Sequence, residues 1–400
     1  MVDATCNAKG ERCTEEHTTG QMSVQSTGTG SGPSLDGSSI SSDELQNETR
    51  QHPTWTCIGW CEGANFNRAT GGLMPRFVID VLHGVSQVVF LANSTSGGLL
   101  LLAMLLGSPK GAMVLGLLGA CCATGLTMMF GLQEEARKEG LLGYNAVLVG
   151  AGLALFVDNF MVAVLATVVA ASVSALVAVL LSRVIKPHLT LSFNISILTS
   201  LALIRFMQMQ GYLPGVPEKA NEVVIFHGVS DFPLLDGLEF LKAVLNGVSQ
   251  IFLVSGPLSG VVMLVAIGLG SPLGALCTLL GSLLATLQAA LMGVSLMELE
   301  HGIWGFNAAL TSLWVSFHFR SMGPTSILFL VVFVSCCTTF TWAGLDVVAE
   351  KMNGWMAAAF TLPFNVVAFF LVGVERCVLR AVSCSKGKTP EVCTEEMTTP

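Results

Sequence analysis

The chain has 400 residues, 52% of them hydrophobic and 12% charged. A soluble domain carries about 25% charged residues, so this composition excludes an ordinary water-soluble globule and requires lipid around the apolar segments. The net charge of −8 resides mainly in the tails and loops, and no basic patch argues for a nucleic-acid partner.

Residues 1–72 are rich in Ser, Thr and Gly, as from Ser23 to Ser42, and lack apolar periodicity. Such a stretch cannot bury enough surface to offset its ordering entropy, which predicts a disordered N-terminal tail. It has no basic segment followed by an apolar stretch and a cleavage site, so targeting is expected of the first spanning helix. Asn47-Glu48-Thr49 matches a glycosylation sequon, expected to face the cytoplasm and stay bare. Of 12 cysteines, Cys121, Cys122, Cys277, Cys336 and Cys337 lie in apolar segments, where they behave as small hydrophobes. Cys57 and Cys61 have no second Cys/His pair at zinc spacing, so neither metal nor cofactor is expected.

Apolar segments follow at 77–92, 97–107, 111–131, 144–156, 160–185 and 189–206, within a first repeat at 73–207. A polar linker at 208–237 leads to a second repeat at 238–375, with segments at 238–254, 258–269, 273–293, 305–319, 324–349 and 355–374. Residues 376–400 read as a C-terminal tail. In each half the second segment has only a dozen residues, which at 1.5 Å per residue crosses about half of a bilayer, so it is read as a re-entrant half-helix.

The two halves are copies. Gly84-Val85-Ser86-Gln87 recurs as Gly247-Val248-Ser249-Gln250, and Gly107-Ser108-Pro109 as Gly270-Ser271-Pro272. Of the 26 aligned positions between Gly84 and Pro109, 12 are identical in the second half, where shared composition alone gives about 2–3. Gly143-Tyr144-Asn145 matches Gly305-Phe306-Asn307, and Thr190-Leu191-Ser192-Phe193-Asn194 matches Thr361-Leu362-Pro363-Phe364-Asn365. Five crossings per half is an odd number, which turns the second copy upside down. The predicted fold is therefore an all-α integral membrane protein of two inverted repeats, each with five transmembrane helices and one re-entrant half-helix. In such proteins the solute site sits near the midplane between the copies. Basic residues Arg68, Arg76, Arg376 and Arg380 put both termini in the cytoplasm.

Gln87 and Gln250 are uncharged amides at equivalent places in apolar runs. A lone glutamine ordinarily bonds to a neighbouring helix, but duplication beside an interrupted helix favours a wet cavity, because a buried amide without a partner is costly. Tyr144 and Leu148 stand four residues apart on one helix face, as do Phe306 and Leu310; such pairs either pack a core or wall a flat slot. Phe90 is placed to close that slot, although its counterpart Leu253 is not aromatic. Thr190 and Thr361 begin apolar segments, where a hydroxyl either caps the helix or faces a pore. Asn145, Asn194, Asn307 and Asn365 are expected to satisfy backbone groups freed by broken helices. Ionisable residues do not repeat: Asp80 aligns with Ala243 and His83 with Asn246, which argues for uncoupled flow rather than an ion or proton path.

These motifs resemble those of the urea transporters, a family with a repeated Gly-x-x-Gln, Asn-Pro-Leu-Ser-Gly, Gly-Tyr/Phe-Asn and Thr-x-Pro-Phe-Asn signature. The best matches are Gly247 to Gln250, Pro257-Leu258-Ser259-Gly260, Gly305 to Asn307 and Thr361 to Asn365, and the resemblance covers residues 75 to 375. It implies a homotrimer in the plasma membrane, each protomer with its own pore for urea and similar small neutral amides. It implies a ladder of oxygens that includes Gln87 and Gln250, walls at Val88, Phe90, Tyr144, Leu148, Ile251, Leu253, Phe306 and Leu310, and a central constriction at Thr190 and Thr361. Urea is flat and neutral with four N–H donors, so a slot with acceptors along one side replaces its water. The first half departs from the pattern: Asn93-Ser94-Thr95-Ser96-Gly97 lacks the proline, Ser192 replaces another, and Gly256 replaces the asparagine before Pro257.

Two rivals are weaker. An ammonium-type channel needs paired pore histidines, yet none of the seven histidines aligns with another; an ion-coupled transporter needs a charged midplane site. No HExxH pattern, Walker loop or GxSxG elbow marks an enzyme.

Overall fold

The computed structural model describes residues 75–109, 111–213, 236–351 and 359–385. The N-terminal tail with its sequon, Cys57 and Cys61, most of the linker and the end of the C-terminal tail lie outside these residues. Among them the structure is helical, with one isolated bridge between Ser108 and Ser255.

The first half comprises α1 (Arg76–Gln87), α2 (Ser94–Leu106), α3 (Gly111–Met129), the short α4 (Glu134–Lys138), α5 (Tyr144–Phe156), α6 (Phe160–Leu181) and α7 (Leu191–Met209). The second repeats the order: α8 (Gly237–Ser249), α9 (Pro257–Gly270), α10 (Pro272–Leu291), α11 (Leu296–Glu300), α12 (Phe306–His318), α13 (Pro324–Lys351) and α14 (Leu362–Ser385). The last helix therefore runs past residue 375, where the sequence suggested a tail. Among the described residues six helices, α3, α6, α7, α10, α13 and α14, are long and apolar enough to cross a membrane. The first segment of each half is shorter than its apolar run: α1 stops at Gln87 and α8 at Ser249. So the first, second and fifth helices of each half all have 12 to 14 residues, not the second and fifth alone.

The helices pack by their small residues. On α6, Ala163, Thr167, Ala170, Ala171, Ser174 and Ala178 are buried at helical spacing, while Phe160, Met161, Leu165, Val169, Val173 and Leu180 are exposed. That is the reverse of a soluble helix and suits lipid outside with close helix contact inside. One apolar core runs through both halves, from Val85 and Leu148 to Leu310 and Phe364. Close approach is equivalent where α1 crosses α2 and α8 crosses α9. A methyl added at Gly97 would overlap the carbonyl of Leu82, and one at the equivalent Gly260 would overlap the carbonyl of Leu245.

The short helices dock the same way in both halves. His83 Nδ1 lies 2.7 Å from the Lys138 carbonyl, and its counterpart Asn246 donates to the Glu300 carbonyl. Only the first half adds a buried ion pair there, Arg137 with Asp80; the equivalent positions hold Leu299 and Ala243, both buried.

Gly97→Ala and Gly260→Ala should each destabilise the purified protein by about 1–3 kcal/mol through overpacking, seen as a lower Tm in detergent, whereas Gly98→Ala, which meets nothing within 4 Å, should leave it unchanged. Asp80→Ala should cost about 3–5 kcal/mol by stranding the Arg137 charge. Adding Arg137→Leu to it, which copies the second half, should restore most of the lost Tm.

Candidate functional site

Each half builds the same local structure from the same residues. After α1 and α8 the chain reverses, with the Phe90 N–H donating to the Gln87 carbonyl at 3.0 Å and the Leu253 N–H to the Gln250 carbonyl at 2.9 Å. The reversal holds Phe90 at φ 60° and Leu253 at φ 58°, a left-handed conformation uncommon for large side chains and strained by about 1–3 kcal/mol. Ahead of α7 and α14 a second pair, Leu189 at φ 45° and Phe360 at φ 43°, repeats this. Asn145 donates to the Leu189 carbonyl at 3.4 Å and Asn307 to that of Phe360 at 2.9 Å. The asparagines thus serve backbone groups in the loops, as their motifs led us to expect.

The halves meet at their threonines. Thr190 Oγ1 and Thr361 Oγ1 are 2.7 Å apart. Asn194 donates to Thr361 Oγ1 at 2.8 Å and Asn365 to Thr190 Oγ1 at 3.0 Å, each reaching across to the other half. Thr190 makes no capping bond to its own helix; its hydroxyl instead meets the opposite half.

A cavity of about 360 Å³ opens beside Gln87, bordered also by Phe90, Tyr144, His188, Leu189 and Trp314. Gln87 is buried, and among the described residues its side-chain amide makes no hydrogen bond to protein. The Tyr144 hydroxyl donates to the Leu189 carbonyl, which fixes the ring against the loop. Phe90 packs into the second half, its ring 6.4 Å from Phe317 and 6.2 Å from Phe364. His188 is largely buried in the loop before α7, and desolvation holds its imidazole pKa below the ordinary value, so the ring is neutral at pH 7. The charged residue on this wall, Lys186, is exposed at the rim.

Gln250 is half-buried, and its amide nitrogen donates to Ser255 Oγ at 2.7 Å and to the His301 carbonyl at 3.0 Å. Both bonds use the nitrogen, which leaves the oxygen free of these two contacts. Val88, Leu148, Ile251 and Leu310 are almost fully buried in the common core. Leu253 and Phe306 are buried too, Phe306 edge-on to Trp342 at 5.4 Å. Of the residues picked from sequence, Gln87, Phe90 and Tyr144 border the cavity, and Thr190 and Thr361 join the halves. His188, Leu189 and Trp314 were not picked. Trp314 had a signal, being the next step of the four-residue stripe Phe306, Leu310, Trp314.

Comparison with known proteins accords with this geometry. A family model for urea transporters matches residues 79–376. The chain is 31% identical over 331 residues to urea transporter 1 of Rattus norvegicus, covering 78% of this chain and 82% of that protein. It is 34% identical over 256 residues to urea transporter 1 of Capra hircus, covering 62% and 65% respectively. With the match spanning both repeats, the chain belongs to the urea transporter family.

Proposed function

We propose that the chain is a multi-pass membrane channel that passes urea down its gradient through a pore between the two repeats. The observation that carries this reading is the Gln87 amide, buried beside a cavity and unbonded to protein, with the Phe90 and Tyr144 rings on the same wall. A buried amide is costly unless it meets a partner, and a flat neutral solute rich in N–H groups supplies one. An ion does not: replacing the hydration of a charge takes several strong dipoles or an opposite charge. The Gln250 oxygen, oriented by bonds from its nitrogen, is the matching acceptor in the second half. The threonine pair marks the narrow centre between them, and the relatives' name accords with the solute.

Duplicated contacts support an inverted-repeat reading of the membrane topology. Asn194 with Thr361 and Asn365 with Thr190 form a reciprocal pair, and so do Gly107 beside Val254 and Gly270 beside Leu91. Residue i meeting j′ while i′ meets j is the signature of a two-fold relation. With an odd number of crossings in each half, that relation is an inverted repeat. The half-helices are α1 and α8, rather than α2 and α9. Their first two turns carry Arg76, Asp80, Glu239 and Lys242 and belong at the membrane surface, and each ends at an amide about 18–20 Å further on. Basic residues behind the last helix favour the cytoplasm for both termini, and the family resemblance supports a homotrimer in the plasma membrane.

A proton-relaying ammonium channel fits less well. His188 borders the cavity, but its counterpart in the second half is Ala359, so the histidines are not paired.

In oocytes matched for surface protein, Gln87→Ala and Gln250→Ala should each lower labelled-urea uptake about fivefold to tenfold, the worth of one hydrogen bond. Undiminished uptake in both would remove the amides from the mechanism. Because the His188 pKa is lowered, its neutral form prevails at and above neutrality, and protonation comes only in acid. Uptake should therefore be level from about pH 7 to pH 8 and indifferent to sodium; accumulation driven by either gradient would sink the passive reading.

A further inference from the structure

The two repeats diverge most sharply within one pair of equivalent helices. Along α5 one face carries Tyr144, Leu148 and Gly152; along α12 the same face carries Phe306, Leu310 and Trp314. The third position holds no side chain in one repeat and the largest in the other. Gly152 sits close against its surroundings, where an added methyl would come within 3.1 Å of Ile197 Cδ1 and 3.4 Å of Leu253 Cδ1. Leu253 is the counterpart of Phe90, and Trp314 shares the Gln87 cavity wall with Phe90. The register also replaces Ile197 by Ala368 in the second repeat. Large and small are thus exchanged between neighbours, which makes room for an indole in a densely packed interior.

Trp314 is also held in place. Its ring stacks on His318 with centroids 4.5 Å apart and planes 19° apart, and His318 Nε2 lies 2.8 Å from Glu375 Oε2 on α14. The indole is wholly buried, yet among the described residues its N–H finds no acceptor. Buried donors are rarely left so, because the unmade bond is destabilising. A rigid ring with a spare donor therefore borders the cavity that holds the unbonded Gln87 amide.

We propose that Trp314 determines selectivity at the Gln87 end of the pore: its indole narrows the slot there, at the position where the first repeat has Gly152 packed against Ile197 and Leu253, and its N–H serves the carbonyl oxygen of the solute. This rests on the channel reading above. A solute with N–H donors on one edge and a carbonyl on the other is then matched from both sides, acceptors from the glutamine and a donor from the indole. Thiourea, whose sulfur is a poor acceptor, loses half of that match. N,N′-dimethylurea is excluded by bulk.

The test is uptake of urea, thiourea and N,N′-dimethylurea by oocytes expressing the full chain, Trp314→Phe or Trp314→Gly, with surface protein quantified. Trp314→Phe keeps a packed ring but removes the donor, and should lower the urea-to-thiourea ratio about fivefold. Trp314→Gly should in addition raise dimethylurea uptake relative to urea about tenfold or more, a few methylenes' worth of relieved crowding. If Trp314→Gly does not reach the surface, the ratio in Trp314→Phe decides alone. A wild-type chain that carries urea, with unchanged ratios in every variant that reaches the surface, overturns the role of Trp314 and leaves the channel intact. A wild-type chain that carries no urea overturns the channel reading and this inference with it.

Discussion

Two threonine hydroxyls 2.7 Å apart at the centre of the molecule fix more of the structure than their size suggests. In an apolar interior a hydroxyl without a partner is costly, and here each is bonded to the other and to an asparagine of the opposite repeat. Thr190 and Thr361 stand at the starts of α7 and α14, so the contact sets where both helices begin. The loops immediately before them turn through left-handed residues, Leu189 and Phe360, whose carbonyls are held by Asn145 and Asn307. Those asparagines adjoin Tyr144 and Phe306, the first residues of α5 and α12. The position of the slot walls is thereby tied, through one chain of short polar bonds per repeat, to the meeting point of the two repeats.

The polar skeleton was readable because it is duplicated. Shared apolar composition does not reproduce Gly-x-x-Gln or Thr-x-x-Phe-Asn at matching offsets, and every asparagine in those motifs bonds to a backbone group or to a threonine hydroxyl that the repeat predicts. The ends of α1 and α8 were not readable. The run continues through Val88, Val89, Phe90 and Leu91 without glycine or proline, so hydropathy extends the first segment to residue 92. The chain leaves the helix at that point because those side chains are buried against the rest of the molecule, a tertiary demand that overrides local propensity. The same reason hid the Gln87 cavity wall. His188 and Leu189 lie in a loop whose sequence looks like a connector, and Trp314 looks like one more apolar residue on a buried stripe.

The absence of a duplicated charge has a structural counterpart. The buried ion pair, Asp80 with Arg137, anchors α1 to the short α4, while Gln87 lies two turns further along α1 at the cavity. The pair is satisfied within itself, so it adds little net field at the site, and a fixed net charge there would favour ions over a neutral amide. His188 contributes polarity without charge, since burial keeps it neutral. Apart from the exposed Lys186, the border of the cavity presents dipoles and rings.

Divergence between the repeats separates what the architecture needs from what one end of the pore needs. The docking of α1 on α4 and of α8 on α11 survives the exchange of His83 for Asn246, because both side chains reach an equivalent carbonyl. The ion pair is dispensable to the fold by the same reasoning, because Ala243 and Leu299 hold the second repeat together without it. Phe90 against Leu253 and Trp314 against Gly152 are different in kind. They change the size and polarity of the cavity wall while the backbone beside them, left-handed at both Phe90 and Leu253, stays the same. The strained turns and crossed amides are thus kept in duplicate, while the largest side chains stand on one cavity wall.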